Sequence, residues 1–210
     1  MKRSTLRRSS AIAATTVVLS LSLAACGSDS EDETASPSTG GDETTSAAAS
    51  AGDQVFGPAC SAVPTSGKGS FDGMVTDPVG TAASNNPLLG TLVQAVTAAD
   101  LVGTLNDAEA LTVFAPTDDA FAAIDPKTLE AVLADKKTLT AILTHHVIGE
   151  QLDPEAVVGE HDTLNGDTVT VDGDTGGMTV ENGDTPANVL CGNIPTANAT
   201  VYVIDAVLMP

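Results

Sequence analysis

The chain has no tryptophan, a single tyrosine (Tyr202) and four phenylalanines in 210 residues. Aromatic platforms for stacking bases or sugar rings are therefore not its main device. Basic residues are scarce too: eight Lys and Arg stand against 28 Asp and Glu, a formal net charge of −20. Such a chain lacks the basic face that a phosphate backbone requires, which excludes nucleic acid as a partner. There are only three cysteines, with no Cys-x-x-Cys pair, and three histidines, with no His-x-x-x-His or His-Glu-x-x-His arrangement. Gly-x-Ser-x-Gly, P-loop and G-x-G-x-x-G patterns are absent as well. The serines crowd the first half, away from the histidines, so a Ser-His-Asp triad has little to draw on. The expectation is a protein that is not an enzyme and that carries no cofactor and no metal.

What is present begins with the distribution of charge. Lys2, Arg3, Arg7 and Arg8 supply half of the basic residues, and every acidic residue lies beyond position 26. Ser9 to Ala25 is uncharged and mostly apolar, short of the ~20 strongly apolar residues that a spanning helix needs. It ends in Leu23-Ala24-Ala25-Cys26-Gly27. A basic region, an apolar region and small residues before a cut make a signal peptide over 1–25, cleaved between Ala25 and Cys26. The cysteine at the cut resembles the bacterial lipobox, in which the thiol is acylated and becomes the new N-terminus. A thiol is the side chain best suited to forming a thioether with lipid. Two or three acyl chains anchor stably where one is marginal. The membrane is then a partner through lipid on Cys26, at the outer face of the cell membrane or in the cell envelope.

Residues 26–53 read as a lipidated N-terminus and an acidic Ser/Thr-rich tether. Gly27 to Gly52 has no Ile, Leu, Val or Phe, and six acidic residues lie between Asp29 and Glu43. Such a segment buries too little apolar surface to offset its ordering entropy. As a coil it spans an r.m.s. distance of ~25–30 Å.

Residues 54–210 read as a single α+β domain, helices first and strands later. Asn86-Pro87 reads as N-cap and first residue of a helix bearing Leu88, Leu89, Leu92, Val93 and Val96. Asp125-Pro126 opens another, and Lys137–Thr144 a third. Leu111–Ala115 is a strand stopped by Pro116, and His146–Ile148 another stopped by Gly149. Asp162–Leu164 and Thr168–Val171 flank Asn165-Gly166 as a hairpin with a two-residue primed turn. Met178–Glu181 is a further strand, followed by a turn at Asn182-Gly183. Ala187–Ile194 and Ala199–Leu208 are the last strands, with Val201, Val203 and Val207 facing inward. Once Cys26 is acylated, Cys60 and Cys191 remain in an oxidising setting that favours a disulfide. A reactive thiol pair or a metal site is the rival, with no nearby His to support it.

Three stretches resemble the fasciclin (FAS1) domain. They are Thr112-Val113-Phe114-Ala115-Pro116-Thr117-Asp118-Asp119-Ala120-Phe121, Leu143-Thr144-His145-His146-Val147-Ile148, and Tyr202-Val203-Ile204-Asp205-Ala206-Val207-Leu208-Met209-Pro210. The resemblance covers roughly Val75 to Pro210. It implies a wedge or β-sandwich of two small sheets with several short helices packed against it. The Cys60 segment, Thr81–Pro87 and Thr196–Tyr202 are similar to the secreted and lipoprotein fasciclin antigens of mycobacteria, in which the matching cysteines form the disulfide. The family implies an adhesion or protein-interaction module, with a small-ligand carrier or an accessory protein of envelope biosynthesis as the alternative. His145, His146 and Asp205 are its candidate interaction residues. The family usually has Tyr where this chain has His145, a Tyr tied to integrin contact in animal matrix members, and that departure weakens an integrin reading.

The same residues have a purely structural reading. Thr117 caps a helix that Asp118 and Asp119 favour electrostatically, and Phe121 and Ile124 return to the core. Asp205 accepts backbone hydrogen bonds, and His146 makes a structural hydrogen bond. His145 and His146, placed on a strand, would face opposite sides. Asp172–Gly177 resembles a calcium loop, but its twelfth position is Gly183 where an EF-hand needs Glu, so it reads as a hairpin tip. Asn198-Ala199-Thr200 is an incidental glycosylation sequon.

Overall fold

The structure, a computed structural model, describes residues 50–181 and 186–210. Ala25, Cys26, the leader, the tether to residue 49 and the Asn182-Gly183 turn lie outside them. Ser50 opens the described chain by capping a 3₁₀ turn over Ala51–Gln54, with Asp53 bonding back to the Ser50 amide at 2.8 Å. The Ala51 amide also donates to Asp72 at 2.9 Å. Local structure therefore begins a few residues ahead of the expected boundary at 54.

Four short helices follow: α1 (Phe71–Met74), α2 (Val79–Asn85), α3 (Gly90–Ala98) and α4 (Val102–Asp107). Asn86 does not start α3. Its side chain instead accepts from the Leu88 amide at 3.0 Å and closes a turn. The helix begins at Gly90, where Asp118, 27 residues away, accepts the Thr91 amide at 2.6 Å. Strand β1 (Leu111–Pro116) then leads through the Thr117 cap into α5 (Asp118–Ala122), as the sequence predicts, with Thr117 accepting from the Ala120 amide. Asp125 caps α6 (Pro126–Ala134) and Asp135 caps α7 (Lys136–His145).

The remaining strands are β2 (Val147–Ile148), β3 (Gly159–Asp162), β4 (Thr168–Asp174), β5 (Gly177–Glu181), β6 (Ala187–Pro195) and β7 (Ala199–Ile204). They form one sheet in the order β2-β1-β7-β6-β5-β4-β3. The expected sandwich of two small sheets is corrected to this single mixed sheet, parallel between β1 and β7 and antiparallel elsewhere. Its bend comes from β6, whose register against β7 shifts twice, between Val189 and Cys191 and between Cys191 and Ile194. Such irregularities bend a strand and raise its twist. Asn193 has φ +58° within the second. The sheet curls until its two edges meet, through an Ile148–Thr163 bridge and a 2.8 Å bond from the Leu164 amide to Val147. Among the described residues no long exposed edge is left for another chain to pair with.

Two cores result from the two faces of the sheet. Every residue of β1 and β7 is buried, as expected of central strands covered on both sides. Val113, Ala115, Val201 and Val203 face the helices, against Leu92, Val96, Leu139 and Leu143. Their alternates Phe114, Tyr202 and Ile204 fill the inside of the curl with Val169, Val171, Met178, Val180 and Leu208. Strand β7 stops at Ile204, earlier than the Leu208 expected, because Asp205 leaves the ladder to bond Asn188.

Candidate functional site

The residues that the sequence singles out fall at three places. The first is the junction of α7 and β2. His145 is the last residue of α7 and His146 its C-cap, so the expected alternation of the two on a strand does not hold. Both are buried, at 0% and 2% exposed, with rings 6.2 Å apart and nearly perpendicular. His145 Nδ1 lies 2.6 Å from Asp167 Oδ1. His146 Nδ1 lies 2.8 Å from the Ile142 carbonyl, and its Nε2 accepts the Leu208 amide at 2.9 Å. One donor and one acceptor fix the neutral tautomer with the proton on Nδ1. Burial pushes the imidazole down to about 4, against the Ile142 bond, which raises it; neighbouring His145 adds to the fall. Neither ring reaches the surface where a partner could touch it.

Asp167 closes this junction from the β3–β4 loop. That hairpin is not the two-residue primed turn expected. Its loop runs Thr163–Asp167, with Gly166 at φ +88°, the Thr163 amide donating to the Asp167 carbonyl and the Gly166 amide to the Thr163 carbonyl. The longer loop carries Asp167 to His145, where the carboxylate also accepts from Thr163 and Asn165. Partial burial raises its pKa, but the three hydrogen bonds outweigh this and hold it at about 2.

The second place is the kink between β6 and β7. Asp205 accepts the Asn188 amide and the Asn188 side chain, both at 2.7 Å, and donates its own amide to the Asn188 carbonyl. It is half-buried, and its carboxylate serves the bend where β6 passes from β5 to β7.

The third place is the stapled N-terminal segment. Cys60 and Cys191 form a disulfide across a Cα–Cα distance of 4.9 Å. Phe56 and Gly192 exchange backbone bonds at 3.2 and 2.8 Å, and Asn193 donates to the Gln54 carbonyl at 3.0 Å. A Cβ at residue 192 would sit 2.4 Å from the Phe56 ring, so any larger residue there displaces the ring. Phe56 meets Tyr202 edge-on at 6.3 Å. Burial, with Asp153 nearby, raises the Tyr202 hydroxyl above its ordinary pKa, and that hydroxyl donates to the Leu152 carbonyl at 3.2 Å.

Asn198 is the residue whose importance the sequence conceals. It reads as a sequon, but its amide is inside, accepting from the Val79 amide at 2.9 Å and donating to Leu105 and Ala108 carbonyls at 2.8 Å each. It joins α2, the end of α4 and the start of β7. Those partners lie about ninety to 120 positions away, so no local signal announces them.

The described residues also enclose an apolar cavity of ≈60 Å³ behind α2, α3, α4 and α7, with Phe114, Val113 and His146 at its floor. Among them no group of three or more His, Cys, Asp or Glu is placed to hold a metal ion. His161 bonds the Val157 carbonyl at 2.9 Å, apart from the other pair. Asp174 accepts the Gly176 amide at 2.7 Å and shapes the β4–β5 hairpin tip, at the segment that resembled a calcium loop. The arrangement positions backbone and closes loops.

Comparison with known proteins places this architecture. The family model for the fasciclin domain matches residues 87–210. Immunogenic protein MPB70 of Mycobacterium bovis is 46% identical over 170 residues, 77% of this chain and 85% of that protein. Cell surface glycolipoprotein MPB83 of the same species is 48% identical over 149 residues, 69% of this chain and 66% of its own length. A solved fasciclin domain pair from the insect cell adhesion molecule Fasciclin I superimposes with a TM-score of 0.57 at 16% identity, covering 66% of this chain and 52% of that one. The matched region holds β1, the α7–β2 junction and β7, and the chain belongs to the fasciclin domain family.

Proposed function

We propose that this chain is a lipid-anchored protein of the bacterial cell envelope whose fasciclin domain is an adhesion or protein-interaction module. The observation that carries the reading is Leu23-Ala24-Ala25-Cys26, which follows a basic and apolar leader and precedes an acidic tether and the domain. The names of the relatives lend support, one a cell surface glycolipoprotein and another, by structure, a cell adhesion molecule. Cleavage before Cys26 removes half of the basic residues, leaving four against 28 acidic ones. So acidic a chain is repelled by anionic lipid, and attachment falls to the acyl chains. Replacing Cys26 by Ala releases the protein into the medium; unchanged membrane retention overturns the anchoring. Beads carrying the disulfide-intact protein, exposed to host matrix and to envelope fractions, test the module. A binder absent from both overturns the adhesion reading.

A carrier role has one observation in its favour, the apolar cavity behind α2–α4 and α7. Its ≈60 Å³ is under half of the about 150 Å³ that lodges benzene in an engineered cavity. That space holds a few carbons and no lipid chain, so the interaction module is the better reading.

A further inference from the structure

The cavity behind α2, α3, α4 and α7 has three firm walls and one soft one. Buried residues set its back, among them Leu92, Val96, Val113 and Leu143. Its outer side is α4, which brings Val102 and Leu105 to it and has no buried residue of its own. The exposed residues that line it are Thr104 on α4 and Leu164 on the β3–β4 loop. The cavity therefore reaches the surface between that helix and that loop. Leu164, at 49%, is the most exposed large apolar side chain among the described residues, and it stands at the rim. The one ionisable side chain in the lining is His146, and both of its ring nitrogens are already bonded.

We propose that this opening is the anchor pocket of the interaction module, and that it takes one aliphatic side chain from a partner protein segment flanked by Lys or Arg. The inference rests on the module reading above and names the partner's chemistry. Size fixes the anchor. An engineered cavity of about 150 Å³ lodges the six carbons of benzene, so ≈60 Å³ lodges two to three, the isopropyl end of a leucine or valine. A single side chain set into such a pocket, shielded from water by its surroundings, is the usual form of an interface hot spot. Charge fixes the flanks. Residues 69–126, which carry α2, α3 and α4, contain no Lys, Arg or His. Asp100 and Asp107 stand at the two ends of α4 and Glu109 follows it, all three exposed. From residue 138 to the end there is again no Lys or Arg, so the β3–β4 loop adds none. Lys136 and Lys137 begin α7, about 10 Å along the helix axis from Leu143. The mouth is thus apolar and its surround acidic, which selects a cationic partner and repels an anionic one.

The test is methyl NMR on the oxidised protein, titrated with five-residue peptides that carry one central residue between two pairs of lysines. Central leucine shifts the Leu164, Val102 and Leu143 methyls. At about fourfold per buried carbon it binds about 15- to 60-fold more tightly than central alanine. Central phenylalanine, too large for the cavity, gains nothing over alanine. Glutamates in place of the lysines abolish binding. Ala83→Leu, which fills the cavity from α2, and Leu164→Ser at the rim each remove the leucine preference; the second replaces an exposed side chain and decides the matter if the first does not fold. A leucine preference below about threefold, or one retained in Leu164→Ser, overturns the proposal. The same methyl shifts produced without peptide, by phosphatidylcholine vesicles or by concentrating the protein alone, assign the opening to a membrane or to a second copy and overturn it too. A partner captured on the beads whose retention Leu164→Ser leaves unchanged overturns the pocket and leaves the module standing. The peptide series reads the pocket by itself, so the lack of any captured binder bears on the module reading alone.

Discussion

Removing the Cys60–Cys191 disulfide tests how the N-terminal segment is held. The cross-link joins residues 131 apart. On the chain-entropy account, a loop of that size restricts the unfolded state by about 5 kcal/mol. A domain of this kind has a total stability of about 5–15 kcal/mol, so the loss takes a large share of it. The other attachments between Ser50–Ala62 and the sheet include the Phe56–Gly192 pair, the Asn193–Gln54 bond, the Phe56–Tyr202 ring contact and the packing of Val55 on the helix-side core. Each hydrogen bond contributes about 1 kcal/mol. They cannot replace the cross-link. The double variant Cys60→Ala/Cys191→Ala should therefore lose about 3–5 kcal/mol in urea unfolding. The Gly192 amide, bonded to Phe56, should become fast-exchanging before the Val203 amide does. A loss below about 1 kcal/mol with Gly192 protection intact would refute the reasoning, because the backbone bonds alone would then suffice.

Asn198→Ala strands the Val79 amide and the Leu105 and Ala108 carbonyls in the interior, and should cost about 2–4 kcal/mol by thermal or urea unfolding; Asn198→Asp, which keeps only the acceptor, should recover part of it. Asp100 sits at φ +63° after α3, with the Asp100 and Leu101 amides closing back onto Thr97 and Val96, a position that glycine prefers. Asp100→Gly should therefore raise stability by about 0.5–1 kcal/mol, and a drop in melting temperature would count against this cap geometry. Asp167 is held at about 2, below the usual carboxylate range, so the bonds of the β3–β4 loop are complete above pH ~4 and weaken as the pH falls toward 2. An Asp167 carboxyl titrating near 4 by NMR would contradict the three-donor arrangement.

Much of the fold is legible wherever one or two neighbouring residues decide the geometry. Thr117 caps α5 and Asp125-Pro126 opens α6 because a hydroxyl or carboxylate two or three residues ahead reaches the first free amides. Val169 and Val171, and Met178 and Val180, face inward because strand side chains alternate. What escaped depends on distant partners. Asn86 has every local mark of an N-cap, yet the amide that starts α3 is taken by Asp118. The period of α7 runs on through His145, and the β-branched pair Val147-Ile148 marks the strand one residue later than His146. The division of the sheet into two halves follows from the β6 irregularities, which place Ala187 and Asn188 against β5 and the rest of the strand against β7. A strand that serves both halves turns an expected sandwich into one curled sheet. Asp205 shows its backbone bonding in sequence, while the burial of His145 and His146 follows from the end of α7, whose Leu139 and Leu143 pack in the helix-side core.

Strand β7 is the last segment of regular structure in the chain and the middle of its sheet, pairing with β1 on one side and β6 on the other. Until Ala199–Ile204 has been made, β1 lacks its neighbour of six registered residues and both cores lack their central wall. The order of synthesis and the order of assembly therefore run against each other. A chain still emerging from the ribosome has no stable intermediate sheet to collapse onto, and the long closing contact between residues 111–116 and 199–204 is slow to form. The domain therefore becomes a folded body only after its final strand has been made.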